Sequence, residues 1–303
     1  SSSLTVTNLG KILVYTYSPA LLTCTAPVPD VTTLPTITDI CSVASITPPT
    51  ATNNCAGTAG IVGLTDTVFP ITAQGTTTVI WKYKYGNGLT VTQNQTVTIN
   101  STTWDGITWS NGLPTSQAAI IAANYTIASN LSACSLTVNN NANVTVNSGV
   151  NVTLNGPLTV SSGSFTLNNN ANLIQTTNVN NSGNIIVKRE SSPLMRLDYS
   201  LWSSPVVSQK LLDFSPLTTT TRFYTYNTPT NLYGAVLDPS TTNFADGQGY
   251  LIRMPNTHPT TPTIWNGSFS GVPHNGYYPI TMANSGATKR FNLVGNPYPS
   301  PIS

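Results

Sequence analysis

Apolar residues along this chain recur two apart, not three and four apart. Leu4-Thr5-Val6, Thr78-Val79-Ile80-Trp81-Lys82-Tyr83, Thr90-Val91-Thr92 and Thr96-Val97-Thr98-Ile99 are runs of β-branched and aromatic residues, punctuated by Gly, Asn, Pro and Ser. Alternation at period two gives a strand one apolar and one polar face. No long segment places apolar residues at i, i+3, i+4 and i+7 behind a capping residue, so the chain predicts few helices. The expected fold class is all-β.

The middle of the chain carries a second, longer period. Apolar-x-apolar triplets begin at Leu136, Val144, Val152, Leu158, Phe165 and Leu173, with Asn, Ser and Gly between them. Three steps advance the chain by 21 or 22 residues. That arithmetic predicts a three-sided parallel β-helix with about three short strands per turn. Each triplet then points its flanking residues inward and its central Thr outward. Asn139-Asn-Asn-Ala-Asn143 recurs as Asn168-Asn-Asn-Ala-Asn172, and Asn suits corners because it tolerates left-handed backbone. An antiparallel sandwich of short strands is the alternative. Trp104 and Trp109, set among Asp-Gly and Asn-Gly turns, are placed to cap the open end of the coil or to line a sugar-binding face. The outward Thr137, Thr145, Thr153, Thr159 and Thr166 give about two residues per face, too few for a flat ice-binding array.

Composition narrows the function classes. Charged residues are 7% of 303 residues, against about 25% in an average soluble domain, while Thr numbers 50 and Asn 33, and Glu190 is the only glutamate. Coiled coils, helical bundles and ordinary cytosolic enzymes use far more Glu, Lys and Arg. A net charge of +2 provides no basic stripe for phosphates, so no nucleic-acid partner is expected. No segment approaches the roughly 18–20 apolar residues of a membrane helix. The start at Ser1 lacks the layout of a signal peptide, which reads as a mature product or an excised part of one.

Four cysteines occur without a CxxC or Cys/His cluster, so no metal site is expected. Cys41 and Cys55 flank a Thr/Pro/Asn-rich segment, which suits a disulfide stabilising by about 3 kcal/mol; two buried thiols are the alternative. Cys24 and Cys134 are left either to pair or to stay as buried thiols. Sequons beginning at Asn94, Asn100, Asn124, Asn130, Asn143, Asn151, Asn180 and Asn266 carry little weight in a chain so rich in Asn and Thr.

Catalytic chemistry finds little to work with. His258 and His274 lie in Pro-rich, loop-like sequence and read as surface residues. No nucleophile elbow, phosphate-cradling loop or HExxH is present. Asp238 and Asp246 are the nearest acidic pair in the aromatic-rich region, and the stretch between them reads as a turn. No catalytic residue, cofactor or metal ligand is therefore assigned, and the chain is read as a non-enzyme. Tyr and Trp stack on sugars and dominate contact energetics, so Trp202, Tyr224, Tyr226, Tyr250 and Trp265 are the candidate ligand-facing residues; core packing is the competing role for each.

Three stretches carry a resemblance. "CSVASITPPTATNNCAGT", "GTTTVIWKYKYGNG" and "TQNQTVTI" resemble a hyalin-repeat (HYR-like) immunoglobulin-type module over about 75 residues; that family places a disulfide where Cys41 and Cys55 stand. The Trp104 to Pro114 stretch and "ACSLTVNNNANVTV" resemble the entry to solenoids in proteins exported by the Bacteroidota type IX secretion system. "YSLWSSPV", "GQGYLIRMP" and "FNLVGNPYPSPI" resemble a β-rich module of the same exported proteins, in which further strands and a sorting domain normally follow. Asp66-Thr67-Val68 fits the short O-glycosylation pattern of Bacteroidota, making Thr67 a candidate acceptor.

The expected organisation is an N-terminal strand or linker (1–23), an Ig-like sandwich (24–102), a β-solenoid with a Trp cap (103–190) and an aromatic-rich, β-sandwich-like domain (191–303) incomplete at its C-terminus. The resemblance implies a secreted, cell-surface-attached protein of structural or adhesive function. Its partners would be surface glycans or other surface proteins, and it would leave the cell through the type IX machinery. The alternative is an accessory or carbohydrate-binding region of a larger secreted polysaccharide-degrading enzyme.

Overall fold

A computed structural model describes residues 24–56, 60–86 and 88–302. The expected strand or linker over 1–23, and Asn87, lie outside the described residues. The described residues are all-β, with 39% strand and 3% helix, and the chain divides into two compact units.

The first unit holds the described residues of Ser1–Ile37, Ala44–Phe69 and Thr77–Val97. Strands β1 (Val28–Pro29), β3 (Thr50–Thr52) and β4 (Ile61–Val62) form one small sheet; β2 (Ile37–Asp39), β6 (Leu89–Ile99) and β5 (Gly75–Tyr85) form another in that order. Alternation along β5 buries Val79, Trp81 and Tyr83, while Ile80 stays exposed. The buried polar ends are satisfied by two glutamines. Trp81 Nε1 donates to Gln95 Oε1 at 3.0 Å and the Tyr83 hydroxyl donates to Gln93 Oε1 at 2.7 Å. The same amides donate onward to Pro35 O and Val31 O, pinning the Pro-rich entry segment. Such pairing removes the cost of burying an unsatisfied donor.

Both disulfides differ from the expected Cys41–Cys55 bridge. Cys24 bonds Cys55, and Cys41 bonds Cys134. Local turns explain the exchange. Asn53 Oδ1 accepts from the backbone of Cys55 and Ala56, its amide donates to Thr25 O, and Thr25 N donates to Asn54 Oδ1. That turn lays Cys55 beside Cys24. Asp39 Oδ1 accepts from the backbone of Cys41 and Ser42, turning the chain so that Ile40 O receives Ala118 N at 3.0 Å. Cys41 thereby reaches Cys134, buried at the end of a solenoid strand.

The second unit comprises Thr38–Val43, Pro70–Thr76 and the described residues from Thr98 onward. Its spine is a β-solenoid of about four turns. The strands are β7 (Thr102–Trp104), β8 (Ala119–Ile121), β9 (Tyr125–Ile127), β10 (Leu131–Ala133), β11 (Leu136–Val138), β12 (Asn143–Val146), β13 (Asn151–Leu154), β14 (Leu158–Val160), β15 (Ser164–Leu167), β16 (Asn172–Gln175) and β17 (Ile185–Glu190). They stack in parallel as three sheets: β14-β11-β8-β7, β17-β15-β12-β9 and β10-β13-β16. Every sequence triplet from Leu136 to Leu173 lies in a strand. The register pairs Leu136 with Leu158, Val144 with Phe165 and Val152 with Leu173, which reproduces the 21- and 22-residue steps.

Leu136, Val144, Val152, Leu158, Phe165 and Leu173 fill the interior. Outside, Thr126, Thr145 and Thr166 stack in one column. The corners explain the asparagine content. Asn172 Nδ2 donates to Asn151 Oδ1 and Asn151 N to Asn130 Oδ1, while Asn143 N donates to Asn124 Oδ1 and Ser164 Oγ to Asn143 Oδ1. Amide ladders thus join successive turns without charge. Four of the sequon asparagines are used in this way. The two Asn-rich repeats occupy different corners: one joins β11 to β12, the other β15 to β16.

Gly163 sits at a corner with φ +84°, and a Cβ there would lie 2.0 Å from Ala142 O. Gly163→Ala is expected to lower the urea midpoint by the equivalent of about 2–4 kcal/mol, since strained backbone and a forced shift add; an unchanged midpoint would contradict the stacking of these two turns.

The Trp pair lies at the first turn. Trp104 is the last residue of β7, the edge strand of its sheet, and its indole donates to Asn124 O. Its ring packs at 4.8 Å from Tyr125, and Trp109 packs at 5.4 Å from the same ring. Both indoles rest against the core.

Beyond Glu190 the sheet does not stop. After β18 (Tyr199–Trp202), a short helix α1 (Leu211–Phe214), β19 (Phe223–Asn227), β20 (Leu232–Ala235) and β21 (Tyr250–Arg253), strand β22 (Asn266–Gly271) returns antiparallel to β17 over six residue pairs. One continuous core then runs from Ala119 to Phe269. Residues 191–303 therefore grow out of the solenoid's own sheet. At the junction the half-buried Arg189 donates to Ala171 O and Pro299 O; burial holds its pKa below the ordinary arginine value.

Candidate functional site: a tyrosine-bearing sheet face

Strands β18-β21-β19-β20 form an antiparallel sheet, and alternation assigns its two faces. Trp202, Tyr250, Ile252 and Phe223 point into the core. Their neighbours point the other way: Tyr199 and Leu201 on β18, Leu251 and Arg253 on β21, Tyr224 and Tyr226 on β19. Register aligns them in rows. Tyr199 lies opposite Arg253, Leu201 opposite Leu251, Leu251 opposite Tyr224, and Tyr226 opposite Tyr233 of β20. Tyr199 is 39% and Tyr233 46% exposed. The Tyr199 and Tyr224 rings meet edge to face at 5.9 Å, and Tyr226 and Tyr233 at 5.3 Å. This geometry fixes the rings against one another on the outward side of the sheet.

Polar groups frame the rings. Arg222, in a single 3-10 turn before β19, donates from Nη1 to the Tyr224 hydroxyl at 3.0 Å. The Tyr226 hydroxyl donates to Asn231 Oδ1. Beside Tyr226 and Tyr233 lies a hollow of about 260 Å³, completed by Phe291, Asn292 and Leu293. The Arg222 hydrogen bond to the phenol oxygen pulls the Tyr224 pKa below the ordinary tyrosine value, whereas desolvation pushes that of Tyr199 up. In an ultraviolet-monitored titration one tyrosine is therefore expected to ionise early, and Arg222→Ala to move that step toward higher pH. An unmoved early step would contradict the contact.

Two of the five sequence candidates, Tyr224 and Tyr226, belong to this face. Trp202 and Tyr250 are corrected to core residues, 9% and 5% exposed. Trp265 is half-buried, its ring 5.1 Å from Phe214 and 5.3 Å from Trp202. The sequence reading missed Tyr199 and Tyr233, although parity within β18 carries the signal for the first: Tyr199 and Trp202 are three apart and must face opposite ways; Tyr233 follows only from its pairing with Tyr226.

The other candidates fall elsewhere. His274 is buried, contrary to its reading as a surface residue. Its Nδ1 lies 2.9 Å from Pro297 O, so that nitrogen carries a proton, and Nε2 stands 3.2 Å from Asp246 Oδ1. Tyr278 covers the imidazole at 4.8 Å. His258 is half-buried, with Nε2 3.0 Å from Leu194 O. Asp238 accepts from the backbone and hydroxyl of Ser240, the turn that its sequence suggests. Thr67 is half-buried beside Thr65, whose hydroxyl accepts from Thr67 N, and the preceding Asp66 is paired with Lys82. Among the described residues, no three His, Cys, Asp or Glu side chains gather to hold a metal, and no helix is long and apolar enough to cross a membrane.

Comparison with known families finds one match, to a family described as a domain of unknown function (DUF8693), over residues 71–303. No curated protein matches the chain, and no solved structure matches it.

Proposed function

The chain belongs to the DUF8693 family, and we propose that it is a non-enzymatic structural and adhesive module, displayed outside the cell, that holds saccharide on its tyrosine face. The observation that carries this reading is the row of outward rings, Tyr199, Tyr224, Tyr226 and Tyr233, fixed on a sheet whose other face is core. Pyranose rings present C–H faces that pack on aromatic rings, and phenol hydroxyls and amides supply the orienting hydrogen bonds. Two disulfides fit an oxidising compartment. The resemblance to type IX-exported Bacteroidota proteins supports cell-surface attachment, and it supports an HYR-like Ig-type assignment of the first unit and Thr67 as a glycan acceptor. Surface glycans and other surface proteins are the proposed partners.

The same face also serves the second reading, a carbohydrate-binding region attached to a secreted polysaccharide-degrading enzyme. A glycan array probed with the full chain tests the shared claim. Binding is expected, and Tyr224→Ala with Tyr226→Ala is expected to weaken it at least tenfold with the fold intact by circular dichroism. An array without a single bound glycan would overturn the proposal. Recognition confined to polysaccharides of a degradable polymer, with none from cell surfaces, would favour the second reading.

A further inference from the structure

One corner of the tyrosine face carries uncompensated positive charge. Arg253 lies opposite Tyr199 in the strand register, and Arg222 bonds the Tyr224 hydroxyl. Among the described residues the one Lys or Arg within salt-bridge distance of a carboxylate is Lys82, beside Asp66, so neither guanidinium meets a carboxylate. Arg253 uses Nη2 on two neutral oxygens, Thr219 Oγ1 at 3.3 Å and Asn256 Oδ1 at 2.7 Å, and its Nε is buried without a hydrogen-bond partner. The nearest acid in sequence, Asp198, is turned to the backbone, where Oδ2 accepts from Met195 N at 2.7 Å. In a chain with 11 Lys and Arg among 303 residues, two arginines without a carboxylate partner beside two tyrosines packed edge to face form a distinct chemical feature. Planar guanidinium groups recognise sulfate and carboxylate oxygens through paired donors.

Resting on the saccharide reading above, we propose that the face selects acidic saccharides: a sugar ring packs on Tyr224 and Tyr226 while Arg222 and Arg253 hold its sulfate or carboxylate group. Tyr199 and the Tyr224 ring wall the anion in, and the hollow beside Tyr233 takes the adjoining residue of the chain. The contact is charged and partly exposed, so it weakens as salt rises.

The test uses the full chain and three immobilised probes: a sulfated galactan oligosaccharide, the same oligosaccharide desulfated, and an oligogalacturonate. At low salt, at least one acidic probe is expected to bind ten times more tightly than the desulfated one. Arg222→Ala is expected to erase that advantage and Arg222→Lys to keep part of it. Which acidic probe wins distinguishes a sulfate from a carboxylate site. Equal binding of the desulfated probe, or an advantage untouched by Arg222→Ala, overturns the inference while the saccharide reading stands. Failure of every probe, together with an empty glycan array, overturns both.

Discussion

Phe165→Ala is expected to destabilise the second unit by about 3–5 kcal/mol, the range for removing a buried aromatic ring. Phe165 is fully buried in β15, a strand held between β12 and β17. The adjacent turn places Val144 directly beside it in register, and stacked turns cannot close independently over the space left behind. In a solenoid each turn is stabilised chiefly by its neighbours, and here β17 also carries β22 and the core beneath the tyrosine sheet. The loss is therefore expected to reach the tyrosine-bearing sheet as well as the coil. Urea unfolding followed by tryptophan fluorescence should show the transition of the second unit, which holds Trp104, Trp109, Trp202 and Trp265, shifted to lower urea. Thr166→Ala, one residue on and pointing outward, should stay within about 0.5 kcal/mol of the parent. Equal costs for the two substitutions would contradict the assignment of inward and outward positions in β15.

Removing the Cys41–Cys134 bridge is the second large effect. The two residues are 93 apart in sequence, and loop-closure entropy for a ring of that length amounts to about 4–5 kcal/mol. The Cys24–Cys55 bridge, 31 apart, closes a shorter ring, for which the same relation gives about 3–4 kcal/mol. Cys41→Ser with Cys134→Ser is expected to lower the melting temperature of the second unit by about 8–20 °C, at roughly 2–4 °C per kcal/mol for a unit of this size. The position of Cys134 makes this bond structural: it follows β10 directly and is buried. Peptide mapping without reduction gives an independent check, since it should recover Cys24 with Cys55 and Cys41 with Cys134. Recovery of a Cys41–Cys55 peptide would overturn the pairing.

The solenoid was legible because its signal is redundant. Six triplets repeat one inward-outward-inward rule, and each register pair from Leu136 to Leu173 confirms the spacing. The disulfides were not legible, because pairing depends on turns set by single side chains. Asp39 and Asn53 each accept two backbone N–H groups, and those turns present Cys55 to Cys24 and Cys41 to Cys134. The continuity of the sheet across residue 190 was hidden for a different reason. A return strand that pairs antiparallel over Ile185–Glu190 leaves no mark in local sequence. The aromatic site was half legible. Tyr-x-Tyr at 224 and 226 announces one face of a strand, but composition alone does not say which face is inside, and Trp202 and Tyr250 were drawn to the core by their size. His274 misled because a Pro-His-Asn stretch resembles an exposed loop, whereas Pro297 and Tyr278 cover it here.

The central claim is that a rigid, sparsely charged scaffold presents one tyrosine face to saccharide. Hydrogen exchange with and without the best-bound oligosaccharide tests it most directly. The account predicts added protection in peptides covering 199–202, 223–235 and 250–253, with the solenoid strands from 136 to 175 unchanged. Protection centred on the solenoid, or on the first unit, would contradict it.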